Sequence, residues 1–193
     1  MGKHQVSLDS VSLVLPPSLY LGPCSAASSK PFLTTNLITD VLSIGANPSS
    51  RSKVEGVTYH RLSINDSPSA SISKIVDAAC DIIDAAMASN KGKGRVFVHC
   101  SAGISRSPTI VAAYLMKRRG MTLKAALGQI VRVRPQISPN PGFVLQLKEL
   151  EMELHGSTSL EVDEFPKREK DKLALFEEVQ VEVVHTDPAS AAA

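Results

Sequence analysis

The sequence has few cysteines, few aromatic residues and no long apolar segment. Only three of its 193 residues are cysteine, too few for a disulfide framework, so a reducing compartment, the cytoplasm or the nucleus, is expected. The longest apolar run, residues 109–116, is far shorter than the roughly 20 residues that cross a bilayer. Trp is absent and aromatic residues make up 4% of the chain. This composition predicts no membrane-spanning segment and gives little support to nucleic-acid binding.

What the sequence does contain suits one compact domain with a distinct C-terminal segment. Hydrophobic residues make up 43% of the chain, which excludes a disordered protein. Residues 1–156 carry 17 Lys and Arg against 10 Asp and Glu, a net charge of +7, whereas residues 157–193 carry 4 against 9, a net charge of −5. We predict an N-terminal extension over 1–10, one domain over 11–156, and an acidic, disordered tail over 157–193 with at most one helix near 171–179.

The pattern of strand and helix signals predicts an α/β domain. Two short strands around a Pro-Pro turn, at 11–15 and 19–21, should lie at a sheet edge. Two β-branched runs should form inner strands, at 37–44 and 57–64. A buried strand over 95–99 leads directly towards a helix, and the helical periodicity marks residues 71–87, 108–119, 123–133 and 141–155. These elements favour a single compact domain with a central mixed sheet flanked by helices.

A cysteine and an arginine stand six positions apart in the segment 99–107, His-Cys-Ser-Ala-Gly-Ile-Ser-Arg-Ser. A loop of small residues at a helix start can point its backbone amides at one tetrahedral anion. The same dipoles should favour the thiolate of Cys100, and the fork of Arg106 can bind two phosphate oxygens. We therefore predict Cys100 as a nucleophile beneath a phosphate bound by Ser101, Ala102, Gly103, Ile104, Ser105 and Arg106.

This pattern of cysteine, five residues, arginine and serine resembles the signature of the protein tyrosine phosphatase superfamily. The longer runs HCSAGISRSPTIVAAYLM, RPQISPNPGFVLQL and LYLGPCSAAS are similar to the small, atypical dual-specificity phosphatases over roughly residues 12–155. The resemblance implies the dual-specificity phosphatase fold, a catalytic domain at 11–156 and a cysteinyl-phosphate intermediate. It implies Asp66 as general acid and base, Ser107 as the hydroxyl that eases departure of the thiolate, and His99 as a structural residue behind the loop. It implies no cofactor and no metal.

The resemblance also implies the substrate class: phosphotyrosine and phosphoserine/threonine in proteins, protein kinases among them. No nucleic-acid or membrane partner is expected, and no motif encodes the oligomeric state. Two other functions stay open, a catalytically weak module that binds phosphoproteins and a phosphatase of a non-protein substrate. The loop contains no lysine, which disfavours substrates that carry several phosphates.

Residues near the motif also have plainer structural interpretations. Asp66 could cap the turn before Ser67-Pro68, and Asn140 could serve only as the N-cap of the last long helix. Arg132 and Arg134 could contact a second phosphate, but solvated or helix-capping side chains are the favoured interpretation.

The two remaining cysteines have two interpretations as well. Cys24 or Cys80 could form a disulfide with an oxidised Cys100. Unreactive thiols are the favoured interpretation for both.

Overall fold

The computed structural model describes residues 11–45 and 53–177. Its strands are β1 (Ser12–Leu15), β2 (Leu19–Pro23), β3 (Asp40–Ile44), β4 (Thr58–Leu62) and β5 (Val96–Cys100). Its helices are α1 (Cys24–Ala27), α2 (Lys30–Thr35), α3 (Ser73–Gly92), α4 (Arg106–Arg119), α5 (Leu123–Val133), α6 (Pro141–His155) and α7 (Glu169–Leu175).

The five strands form one mixed sheet in the order β1-β2-β5-β3-β4. β1 pairs antiparallel with β2, and every other neighbouring pair is parallel. This confirms the predicted mixed sheet in a single α/β domain. Two predicted strand positions were wrong: β4 lies at the edge rather than inside, and β2 lies inside rather than at the edge. The run that forms β4 contains His60 and Arg61, which an edge strand tolerates because part of it faces water.

Helices cover the sheet on both faces. The larger core lies between the sheet and α3–α7, and the smaller core packs α1 and α2 against Phe97 on the other face. Side chains of β5 alternate between the cores, with Val96, Val98 and Cys100 towards the larger one. The predicted α5 and α6 have the observed bounds, and the predicted cap at Asn140 is confirmed by its acceptance of the Phe143 N–H at 3.0 Å.

The sequence did not predict α1 and α2, which follow β2 directly. Both are short, and their serine and proline content resembles that of a loop. Ser29 caps α2 by accepting a hydrogen bond from the Phe32 N–H. The intrinsic helix propensity of these segments is low, so the helices are stabilised by burial of Ala26, Phe32 and Leu33 against the sheet.

The prediction of disorder from residue 157 was wrong as far as residue 177. Leu160, Phe165 and Phe176 are buried in the larger core, and α7 lies in this segment near the predicted short helix. These apolar residues are spaced among charged ones, so the average composition of the segment hides them. The predicted extension 1–10 and the remainder of the predicted tail, 178–193, lie outside the described residues. Within the described ranges, no helix combines the length and apolarity needed to cross a bilayer.

Candidate active site

The candidate nucleophile, Cys100, ends the central strand β5. β2 and β3 flank this strand in parallel, so three strands present their carboxyl ends at one edge of the sheet, the edge where open α/β sheets bind ligands. The loop 101–105 follows, and α4 begins at Arg106. Strand, loop and helix N-terminus therefore stand in the order that the sequence predicted.

Cys100 is 2% exposed, and its thiol accepts hydrogen bonds from the loop and from the start of α4. The Ser107 hydroxyl donates to Sγ at 3.2 Å and the Gly103 amide at 3.3 Å. Burial alone would raise the pKa of Cys100, but hydrogen bonds from the Ser107 hydroxyl and from the amides of Ser107, Gly103 and Ile104 lower it below its ordinary value. Because these donors favour the charged form, they make the thiolate of Cys100 easier to form than that of an ordinary cysteine.

Gly103 allows the loop to curl against β2. Its φ is +68°, and a Cβ on this residue would stand 2.5 Å from the backbone of Gly22. Any side chain would therefore push the loop away from the sheet. This close approach keeps the Gly103 amide directed at the sulfur.

Arg106 extends over the loop from the first residue of α4. Its Nη2 donates to the Ser101 hydroxyl at 2.8 Å, and its Nε lies 3.6 Å from Asp66 Oδ2. This Nε is buried and makes no hydrogen bond within the described part of the chain. A phosphate oxygen would satisfy it, since a guanidinium binds tetrahedral oxyanions with two parallel donors.

Asp66 reaches the same place from the loop after β4. Its Oδ1 accepts hydrogen bonds from the Ser105 hydroxyl at 2.7 Å and from Asn140 Nδ2 at 2.9 Å. The side chain remains 37% exposed, so its other oxygen can meet a substrate. The structure thus brings Asp66 to the phosphate-binding loop, although the two are 34 residues apart in the chain.

His99 is fully buried behind the loop, on the face of the sheet opposite Cys100. Its Nδ1 lies 3.0 Å from the Cys100 carbonyl and its Nε2 2.8 Å from the Ser43 hydroxyl. Burial lowers the pKa of His99 and outweighs the opposing hydrogen bond to Cys100. A neutral ring that donates from Nδ1 to the carbonyl accepts the serine hydroxyl at Nε2. His99 therefore fixes the strand end that carries the nucleophile.

Arg134 and Asn140 belong to the site in ways that the sequence did not predict. Arg134 is 3% exposed and donates from Nε to the Gly103 carbonyl at 2.7 Å and from Nη2 to the Ala102 carbonyl at 3.1 Å. The favoured interpretation was a solvated or helix-capping side chain; solvation was wrong, because Arg134 is buried, although the residue does stand at the C-cap of α5. Asn140 caps α6 with Oδ1 and donates to Asp66 with Nδ2. Its capping role was readable from the sequence, but its second contact depends on the tertiary fold.

α6 also fixes the loop that carries Asp66. A Cβ on Gly142 would overlap the Pro68 carbonyl, so a glycine at the start of α6 lets the two backbones touch. Further along the helix, Gln146 donates to the Ala70 carbonyl at 2.9 Å and accepts from the Ile72 amide at 2.9 Å.

The two remaining cysteines, Cys24 and Cys80, both have raised thiol pKa values. The Cys24 amide donates to the Ser101 carbonyl at 3.0 Å. Burial and the neighbouring Cys100 raise the pKa of Cys24. Burial raises the pKa of Cys80, on α3, to about 11. Neither thiol is poised as a nucleophile, and all three cysteines are free thiols.

Replacing Ser107 by alanine should raise the pKa of Cys100, because it removes the strongest of the hydrogen bonds that lower it. A raised pKa leaves less thiolate at low pH, so the rate of Cys100 alkylation by iodoacetamide should fall there. At pH values well above the Cys100 pKa of each protein, the two alkylation rates should become equal. The pH dependence of alkylation measures the shift. Ser73→Ala, at the exposed start of α3, is the control, and a Ser107→Ala profile equal to that of the unmodified chain would contradict the assignment.

The fold and the site together place a buried cysteine and an arginine on a loop between a central strand and a helix start, an arrangement suited to binding a phosphate group. A family model described as the catalytic domain of dual specificity phosphatases matches residues 19–153. The chain therefore belongs to the dual specificity phosphatase family, whose members are phosphoric monoester hydrolases.

Individual relatives support this assignment. The chain is 38% identical over 149 residues to dual specificity protein phosphatase 1 of Arabidopsis thaliana, an alignment that covers 77% of this chain and 73% of that protein. It is 34% identical to dual specificity protein phosphatase 18 of Mus musculus, with 77% of each chain covered. The crystal structure of human DUSP28 superposes with a TM-score of 0.68 at 30% identity, covering 75% of this chain and 95% of that one.

Proposed function

We propose that this chain hydrolyses phosphotyrosine and phosphoserine/threonine in proteins through a cysteinyl-phosphate intermediate. The observation that carries the proposal is the convergence of Cys100, Arg106 and Asp66 on one loop. The thiol has a lowered pKa, the guanidinium has an unsatisfied buried N–H, and the carboxylate is held beside that guanidinium by Ser105 and Asn140.

In the first step, the thiolate of Cys100 attacks the phosphorus. An S–P bond forms as the bond between phosphorus and the leaving oxygen breaks, and Asp66 in its protonated form gives that oxygen its proton. The amides of the loop and the guanidinium of Arg106 hold the three remaining phosphate oxygens, over which negative charge is spread in the transition state.

In the second step, water attacks the phosphocysteine. The Asp66 carboxylate now accepts a proton from the water, so the same group acts first as an acid and then as a base. The S–P bond breaks and phosphate leaves with the new oxygen. Ser107, whose hydroxyl lies 3.2 Å from Sγ, donates to the departing thiolate and restores the starting state.

The composition of the loop supports a substrate with a single phosphate group. No lysine stands between Cys100 and Arg106, so no extra positive charge is available in the loop for neighbouring phosphates. Proteins phosphorylated on tyrosine, serine or threonine, protein kinases included, fit this requirement. The three free thiols support a reducing compartment, the cytoplasm or the nucleus.

The test is hydrolysis of matched phosphotyrosine and phosphothreonine peptides of one sequence, with EDTA present. We expect the full chain to release phosphate from both peptides, and the ratio of the two kcat/KM values reports how deep a phosphorylated side chain must reach. Phosphate-dependent binding without turnover would favour the phosphoprotein-binding module instead. Neither binding nor turnover on peptides, with turnover of a small phosphate monoester, would favour a non-protein substrate.

A further inference from the structure

A buried lysine in the C-terminal segment, residues 157–177, contacts the backbone that supports the phosphate-binding loop. We infer that Lys172 is a positioning residue for the reaction: through Ile137 it braces residues 134–140, which hold the loop and Asp66 in their reactive arrangement. We call residues 134–140 the bracing segment. The inference rests on the proposed function, because it gives Lys172 a role in that same reaction.

The C-terminal segment is anchored well enough to act as a support. The Ser159 hydroxyl and amide donate to the buried Glu151 carboxylate at 2.6 and 2.8 Å. Phe165 and Phe176 pack with their ring centroids 5.8 Å apart inside the larger core. The Phe176 side chain also lies against Gly128 of α5. α7, which lies between Phe165 and Phe176 in the chain, is thus fixed to the rest of the domain.

Lys172 extends from α7 into the protein interior. It is 4% exposed, and its Nζ donates to the Ile137 carbonyl at 2.8 Å. Ile137 itself is fully buried. An ammonium group withdrawn from water is costly unless its donors are satisfied, and methionine would fill the same space without that cost. The lysine is therefore explained by the carbonyl that it holds, at the centre of the bracing segment.

The bracing segment holds consecutive carbonyls of the phosphate-binding loop. Arg134 donates to the carbonyls of Ala102 and Gly103. The Ser138 amide donates to the Ile104 carbonyl at 2.8 Å. Once these carbonyls are bound on the outer side of the loop, the amides of the loop are free to point inward at Cys100 and the phosphate.

The same segment also holds the general acid. The Asn140 amide donates to the Ser105 hydroxyl at 3.2 Å, and that hydroxyl donates in turn to Asp66. The Asn140 side chain donates directly to Asp66. A displacement of residues 137–140 would therefore move the nucleophile's hydrogen-bond donors and the proton donor together.

The test compares Lys172→Met with the unmodified full chain. Methionine keeps the length of the side chain but cannot donate to the Ile137 carbonyl. We expect kcat for a phosphotyrosine peptide to fall about tenfold, less than the roughly 100-fold that a 1 Å misplacement of catalytic groups can cost. The midpoint of Cys100 alkylation by iodoacetamide should move to higher pH, because the loop amides no longer align with the sulfur. Lys172→Arg, which can donate to the same carbonyl, should restore both properties in large part.

Lys170→Met is the matched control, since Lys170 lies on the same helix but is exposed. It should behave as the unmodified chain does. If Lys172→Met does not fold, Ser159→Ala provides a milder change, because it removes the two hydrogen bonds of the Ser159 hydroxyl, with Glu151 and with the Lys124 amide. It should move the alkylation midpoint in the same direction by less.

An unchanged alkylation midpoint and an unchanged kcat would overturn the inference, even if the melting temperature falls, because the contact would then serve stability alone. The two proposals fail separately. Absence of turnover in the unmodified chain would contradict the proposed function, whereas the alkylation midpoint needs no turnover and would still decide the role of Lys172.

Discussion

Cys100→Ser is expected to bind phosphopeptides but to hydrolyse none. A serine hydroxyl fits the space of the thiol and can accept the same hydrogen bonds from Ser107 and Gly103. It does not ionise near neutral pH, however, so the nucleophile is lost. Loss of a nucleophile can cost an enzyme on the order of 10⁶-fold in kcat, which places the variant below detection. Phosphate release and the anisotropy of a labelled phosphopeptide measure the two properties.

Cys24→Ser is the control for this experiment, because Cys24 lies beside the loop without contributing a donor to Sγ of Cys100. That variant should retain turnover. Turnover that persists in Cys100→Ser with EDTA present would mean that another group attacks the phosphorus. If Cys100→Ser loses peptide binding as well as turnover, the shape of the loop depends on the thiolate.

Asp66→Asn should lower turnover of an alkyl phosphate, such as a phosphothreonine peptide, by about 10² to 10⁴-fold, the usual contribution of general acid catalysis. An amide cannot supply the proton that an alkoxide needs. It can still accept from Ser105 and Asn140 through its oxygen, so the loop should stay in place. An aryl phosphate with an acidic phenol as leaving group needs little protonation, and its turnover should fall much less.

The difference between the two leaving groups is the decisive measurement for Asp66. Equal losses on alkyl and aryl phosphates would show that Asp66 acts on binding or loop shape rather than on the leaving oxygen. Asp81→Asn is a suitable control, because Asp81 is an exposed residue of α3 that pairs with Arg118. If alkyl phosphate turnover survives in Asp66→Asn, the proton comes from elsewhere.

The arrangement of the candidate site around Cys100 was predictable from the sequence because most of its residues lie within nine consecutive positions. A strand end, a loop of small residues and a helix start are local features, and Cys100, Arg106 and Ser107 need only those to come together. Asp66 was assigned from the family resemblance, and the structure places it beside the loop. Helices α5 and α6 were predicted because their apolar faces and caps are also local signals.

The supports of the site were not predictable in the same way. Arg134 and Lys172 carry charges that a sequence pattern assigns to the surface, and only the tertiary fold provides the carbonyls that bury them. The prediction that β4 is an inner strand was wrong for a related reason. A strand pattern indicates which residues are buried, but it does not give the order of strands in the sheet. The C-terminal segment was predicted as disordered since its anchoring side chains, such as Phe165 and Phe176, are few and widely spaced.

Lys172 follows the residues of the candidate active site in the chain, and this order matters while the protein is being synthesised. Cys100, Arg106 and Asp66, the groups proposed to react with the phosphate, all precede residue 107, whereas Lys172 follows Cys100 by 72 positions. A ribosome therefore completes the reactive groups well before it completes their support, and a domain generally folds as a unit. A nascent chain that ends ahead of residue 157 carries every group that reacts and lacks the lysine that aligns them, so full activity belongs to a late stage of translation.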